Sequence, residues 1–172
     1  MDYFQGVVTE YLRADRATFV NTECLIQLEP GKAPPKEKHW YCDAVAVDFR
    51  ELAVFLCEVT YSSTLQSLTG RLELWERNWS GIRRAIQDDC CIPIKDEMRP
   101  WKVQPWLFVP KRSCARLRKK LSAFSWIEAE EHMPFPLITH FEDVTPWEYC
   151  TYDRKQKHLC KCTSESASNC PP

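Results

Sequence analysis

Nowhere in these 172 residues does an apolar run approach the roughly 18 residues that a membrane-spanning helix needs, so no span and no membrane partner is expected. The opening MDYFQGVVTEYLRADR also lacks the basic start and apolar run of a secretory signal, and a cytoplasmic protein is expected. Neither sign of charge is in excess: 23 Lys and Arg against 24 Asp and Glu leave a net charge of -1. That balance weighs against a nonspecific nucleic-acid coat, so any nucleic acid must be held by a local basic patch. Glycine is scarce at four residues, and there is no internal repeat. The ten cysteines include no Cys-x2-Cys pair, which weighs against zinc even though His158, Cys160, Cys162 and Cys170, with Cys150, are suitable ligand types. Cys90-Cys91 has no identifiable catalytic His or acid arranged around it, which weighs against a thiol-nucleophile enzyme, and His39, His132 and His140 stand isolated.

What is present describes a globular chain. Hydrophobic residues make up 44% and charged residues 27%, with seven Trp and twelve Pro. The length suggests one domain over residues 1–152, followed by a polar, Ser-rich and flexible tail over 153–172. Without an export signal, Cys24, Cys42, Cys57 and Cys114 are expected as reduced thiols that pack as small apolar side chains.

The centre of the chain is HWYCDAVAVDFRELAVFLCEVTY, residues 39–61, read as two strands folded about a turn near Phe49-Arg50-Glu51. By the period of two, Tyr41, Asp43, Val45 and Val47 share one face, and Cys42, Ala44, Ala46 and Asp48 share the other. Pairing the strands puts Asp43 roughly opposite Glu58, with Cβ atoms about 5 Å apart if directly paired. Two carboxylates that close repel unless a positive charge joins them. A hard divalent cation, Mg2+ or Mn2+, is the usual solution.

Around this centre, a helix is expected from about Asp2 to Arg16, with Phe4, Val7, Val8, Tyr11 and Leu12 on its core face, and a strand from Thr18 to Leu28. Lys32 to Lys38 is a Pro-stiffened loop. Ser62-Ser63-Thr64 offers caps to a helix in which Leu68, Leu72, Trp75, Trp79, Ile82 and Ile86 keep helical spacing without a break. An irregular connection from Asp88 to Pro100 leads to a strand from Trp101 to Val109, whose first half Pro105 keeps from a fully central place. A basic helix from Lys111 to Phe124 follows, then an acidic patch (Glu128, Glu130, Glu131) and a short strand from Leu137 to Phe141.

Helix, three strands, helix, strand, helix, with Glu10 on the first helix, Asp43 in WYCDAVAVD and Glu58 in VFLCEVTY, resembles the PD-(D/E)XK, or restriction-endonuclease-like, nuclease superfamily over roughly residues 3–110. The resemblance implies an α/β core with a mixed sheet of four to five strands flanked by helices. It also implies Mg2+ or Mn2+ held by Asp43, Glu58 and the carbonyl of Val59, with Glu10 as an outer-shell or second-metal ligand. Thr60 stands where the family has its Lys, and Cys42 where it often has Pro. Thr can orient a water but brings no charge, so Lys38 and Arg71 are the candidates for a migrated cation. Arg71, Arg77, Arg83 and Arg84, with Arg112, Arg116, Lys119 and Lys120, are the candidate phosphate contacts; the competing reading is a solvated face that pairs with Glu73 and Glu76. Two functions follow. One is a nuclease acting on DNA before RNA, as a homodimer where both strands are cut. The other is an inactive module of the same fold that binds a protein or nucleic acid.

Overall fold

The strand patterns of the sequence form a single five-stranded sheet in the computed structural model, which describes residues 2–28, 39–90, 92, 99–124, 126 and 132–149. Strands β1 (Thr18–Gln27), β2 (His39–Asp48), β3 (Ala53–Val59), β4 (Lys102–Val109) and β5 (Leu137–His140) lie across the sheet in chain order. Strand β2 runs antiparallel to both β1 and β3, whereas β3, β4 and β5 run parallel. Parallel neighbours need a crossover. Helices α2 (Gln66–Arg77) and α3 (Trp79–Cys90) lie between β3 and β4 in the chain, and α4 (Lys111–Leu121) lies between β4 and β5. Helix α1 (Tyr3–Arg13) precedes the sheet, and a 3-10 turn, Phe141–Asp143, follows β5. The chain is therefore α/β, with a mixed sheet flanked by helices, and no helix among the described residues is long and apolar enough to cross a membrane.

Alternation along β3 divides the core into two layers. Val54 and Leu56 pack with Leu68, Leu72, Trp75, Trp79 and Ile82 of α2 and α3 and with Leu117 and Leu121 of α4. Phe55 and Cys57 pack with Val8 and Leu12 of α1, Trp106 and Phe108 of β4, and Phe141. Burying both faces is what makes β3 and the second half of β4 read as near-continuous apolar runs. Pro105 falls where the sequence places it: β5 pairs with β4 only from Trp106 onward, so the missing N–H of Pro105 breaks no ladder there.

Three expectations need correction. The helix expected to run unbroken from Leu68 to Ile86 divides at Asn78, whose side-chain amide donates to the Leu74 carbonyl at 3.0 Å while its backbone N–H donates to Trp75 O at 3.1 Å. The side chain thus takes the acceptor that the backbone would use to continue the helix. Secondly, Ser62, Ser63 and Thr64 do not cap α2. The N-cap is Leu65, held at φ 58 by a side chain that is fully buried in the core. Thirdly, strict alternation fails in β2, because Cys42 joins Val45 and Val47 in one layer while Ala44 and Ala46 belong to the other. The slip is at Asp43, which neither neighbouring strand pairs in register, and Glu23 across from it adopts φ 54.

The β2–β3 turn is fixed by a fully buried acid. Asp48 Oδ1 accepts the backbone N–H groups of Arg50 and Glu51 at 2.9 and 3.0 Å. Hydrogen bonds to a charged acceptor contribute more than neutral ones. Asp48→Ala is expected to cost about 2 kcal/mol, read as a lowered midpoint in chemical denaturation; Asp48→Asn, which keeps the acceptor, is expected to cost less.

Several expectations fall outside the described residues: the loop of residues 32–38 with Lys38, the acidic patch at 128–131, Cys91, and Cys150, His158, Cys160, Cys162 and Cys170 with the tail.

Candidate active site at the fork of two strands

The ladder between β2 and β3 ends at Ala44↔Cys57, one step before Asp43 and Glu58 would meet. Past that point the Asp43 side chain takes over from the ladder. Its Oδ2 accepts the Val59 N–H at 2.7 Å, and its Oδ1 accepts the Gln5 side-chain amide at 2.9 Å. The buried Cys42 thiol closes the same fork by donating to the carbonyls of Ala44 (3.0 Å) and Cys57 (3.1 Å). Burial, reinforced by the nearby Glu58 charge, pushes that thiol well above its ordinary range, so it stays protonated and serves as a donor.

Gln5 is presented by a capping box. Asp2 Oδ1 accepts the Gln5 N–H and Gln5 Oε1 accepts the Asp2 N–H, each at 2.8 Å, which fixes the amide so that its Nε2 faces Asp43. Glu10, expected on this helix as the third acid, is not in the cluster: its side chain is 70% exposed and pairs with Arg13 at 3.7 Å. Five residues separate the two positions, so they lie on different sides of α1.

Glu58 shares the face of Val54 and Leu56 and points toward α2, where Arg71 Nη1 bonds its Oε2. Only 3% of the residue is exposed, which rules out a solvent-facing strand-end acid. Its other oxygen, Oε1, is buried without a hydrogen-bond partner among the described residues. Burial pushes the carboxyl up to about 8; Arg71 opposes that rise, and the charge of Asp43 adds to it. Of the two candidate cations, Arg71 is thus the one seen at the acids. The guanidinium keeps its own charge: burial is the largest single influence and lowers its affinity for the proton, but the charge and hydrogen bond of Glu58, with Asp43 and Cys42, together raise it.

Val59 directs its N–H to Asp43, and in an extended strand the carbonyl of the same residue points to the same side. Thr60 continues the strand with its N–H on Phe108 O at 3.0 Å, and its hydroxyl oxygen accepts the Ser62 N–H at 3.2 Å. The next residues collect cations that are distant in sequence. Arg112 lies 4.5 Å over the Tyr61 ring, Phe4 stacks on Tyr61 at 4.3 Å, and Arg116 donates to the Ser63 carbonyl.

The candidate phosphate contacts therefore divide. Arg71, Arg112 and Arg116 converge on residues 58–63. Arg83 instead lines a cavity of about 420 Å³ with Trp79, Trp101, Lys102 and His132, at the end of the sheet where Ala53 pairs with Lys102. At about 3.3 Å per residue, five residues of strand separate that end from Glu58. Arg77, Arg84 and Lys119 are exposed and Lys120 half-buried. Sequence reasoning missed Gln5 and Tyr61. The Asp2-x-x-Gln5 spacing signals the capping box, but nothing local signals that its amide meets Asp43.

Asp43 and Glu58 with the Val59 carbonyl form a hard-oxygen donor set of the kind Mg2+ and Mn2+ accept. The buried, unpartnered Oε1 is the observation that fits a cation there. Among the described residues no group of three or more His, Cys, Asp or Glu gathers as a metal cluster. Two carboxylates and a carbonyl leave coordination positions for water, as Mg2+ sites commonly do. Compared with known proteins, the chain matches no family model, no curated protein and no solved structure.

Proposed function

We propose that this chain is a metal-dependent nuclease of the restriction-endonuclease-like kind, hydrolysing phosphodiester bonds in nucleic acid, DNA before RNA, at the β2–β3 fork. The observation that carries the reading is the buried Glu58 carboxyl, raised to about 8, with one oxygen open and Asp43 beside it. A divalent cation held by Asp43, Glu58 and the Val59 carbonyl would supply a bound water of lowered pKa and charge stabilisation at a phosphate.

The chain's own residues account for the rest. Thr60 accepts from Ser62 through its hydroxyl oxygen and so retains an O–H to orient a water. Arg71 brings, from a helix, the positive charge that the family's Lys brings from the strand. Gln5 and the Val59 N–H hold Asp43 in place, leaving its remaining lone pairs for ligation. Arg112 and Arg116 stand beside the fork where a phosphate backbone would pass, and their contribution should weaken with salt.

The test is calorimetric titration of Mn2+ and Mg2+ into the wild type, Asp43→Ala and Glu58→Ala, with cleavage of mixed DNA and RNA substrates followed in the same three proteins. Binding in the wild type that both substitutions abolish, with metal-dependent cleavage lost in parallel, is expected. No binding to the wild type at millimolar ion would overturn the reading. It would leave the inactive alternative, in which Arg71 alone settles the buried acid.

A further inference from the structure

A second cluster of reactive side chains lies on α4, apart from the carboxylates. Lys111, Cys114 and Arg118 recur at i, i+3 and i+7 and so share one stripe of the helix. Ser113, Leu117 and Leu121 form the buried stripe, while Arg112 and Arg116 reach Tyr61 and Ser63. The half-exposed Cys114 Sγ accepts the Arg118 Nε–H at 3.4 Å. From the end of β5, His140 comes close enough to the same sulfur to act on it electrostatically. His140 Nδ1 is in turn 3.1 Å from Asp143 Oδ2, and Asp143 Oδ1 is 3.0 Å from Lys111 Nζ. Glu142 completes the surroundings by accepting the Lys111 backbone N–H at 3.0 Å. His140, isolated in sequence, thus lies near Cys114 with its ring held by Asp143, a carboxylate that orients the imidazole.

We propose that Cys114 is a reactive thiolate and a site of S-thiolation by small anionic disulfides. The arrangement has the parts such a site needs: a sulfur partly open to solvent, the Arg118 guanidinium donating to it, and a nearby imidazole fixed by an acid. The donors favour the ionised sulfur, Arg118 most and His140 next, and the thiol is lowered from its ordinary value. The reciprocal effect raises His140, through Cys114 first and Asp143 second, against burial. The two shifts favour the charged form of each partner, the thiolate beside the imidazolium. Arg118 on the sulfur, with Lys111 on the same stripe of the helix, supplies the positive charge that selects a carboxylate-bearing disulfide over a neutral one.

The reaction balances as thiol–disulfide exchange. The Cys114 sulfur attacks one sulfur of the reagent, the new Cys114–S–S–R bond forms, and the reagent's own S–S bond breaks. The second thiolate leaves with the electron pair and takes a proton from solvent, so the disulfide is the only oxidant required.

Wild-type protein reacted with iodoacetamide across pH and mapped by peptide mass spectrometry tests the thiolate. An ordinary thiol is only about 1% ionised at pH 6.5, so Cys114 is expected to label about ten-fold faster there than the comparably half-exposed Cys24. His140→Asn and Arg118→Gln should each slow labelling at pH 6.5 and move the midpoint of the rate profile upward. Oxidised glutathione should place its adduct on Cys114 before Cys24, and faster than neutral hydroxyethyl disulfide does. Labelling of Cys114 no faster than Cys24 in the wild type would overturn the thiolate without recourse to any variant. Equal rates with the two disulfides would overturn the anionic preference. Neither readout depends on metal or cleavage, so this inference and the nuclease reading fail separately.

Discussion

Replacing Glu58 by Gln is expected to abolish a loss of stability, amounting to as much as about 5 kcal/mol, that the wild-type chain undergoes as pH rises from 4.5 to about 8. The folded state binds the Glu58 proton more tightly than the unfolded state does. The stabilisation is therefore complete below the unfolded value of 4.5 and is lost as pH climbs through the folded value of about 8. With the side chain only 4% exposed, solvent screens little of this. The Gln variant has no such proton, so urea midpoints of the two proteins, measured in chelator, should coincide near pH 4 and separate progressively above pH 5, with the variant the more stable at pH 9. Adding Mn2+ to the wild type at pH 8.5 should recover part of the gap, about 3 kcal/mol at a hundred-fold excess over Kd, and leave the variant unchanged. Parallel pH profiles for the two proteins would show that Arg71 alone compensates the buried acid.

The legible part of this molecule is the part written in local period. The 3.6-residue spacing of Leu68, Leu72, Trp75, Trp79, Ile82 and Ile86 reports directly which face is buried, and that face is buried, while alternation sorts the two faces of β3 and fails in β2 only at Asp43. The offset of Asp43 and Glu58 about the turn was likewise countable along the chain, and the ladder stops one residue short of them. What period cannot report is a side chain competing with backbone. Asn78 takes the Leu74 carbonyl and divides a helix whose apolar stripe continues unbroken, and Asp43 takes the Val59 N–H and ends a ladder. Nor does a single sequence reveal contacts between distant positions. Gln5 reaches Asp43 across 38 residues, Arg116 reaches Ser63 across 53, and Cys114 meets His140 from another element. Glu10 shows the converse: the right residue type on the expected helix, facing away from the fork.

Trp75→Ala is expected to lower stability by about 3–5 kcal/mol, enough to remove a large share of what a domain of this size has. Trp75 is fully buried in the layer formed with Leu56, Leu72 and Leu107. Its indole N–H has no hydrogen-bond partner among the described residues, so the side chain contributes through apolar contact and volume, with nothing gained from the nitrogen. Phenylalanine at this position should therefore cost no more than about 1.5 kcal/mol, since it fills most of the volume and removes an unsatisfied donor. In urea the alanine midpoint should fall by about 2 M if the slope is near 2 kcal/mol per M, with the phenylalanine midpoint close to wild type. The consequence extends to the fork, because Arg71 sits one helical turn before Trp75 and α2 reaches Glu58 only while Leu68, Leu72 and Trp75 hold it against the sheet. A loosened α2 withdraws the one group that draws the Glu58 proton off, so below its unfolding midpoint the alanine variant should titrate Glu58 at higher pH than wild type. Difference infrared spectroscopy of the carboxyl, with Glu58→Gln as the blank, measures that shift directly.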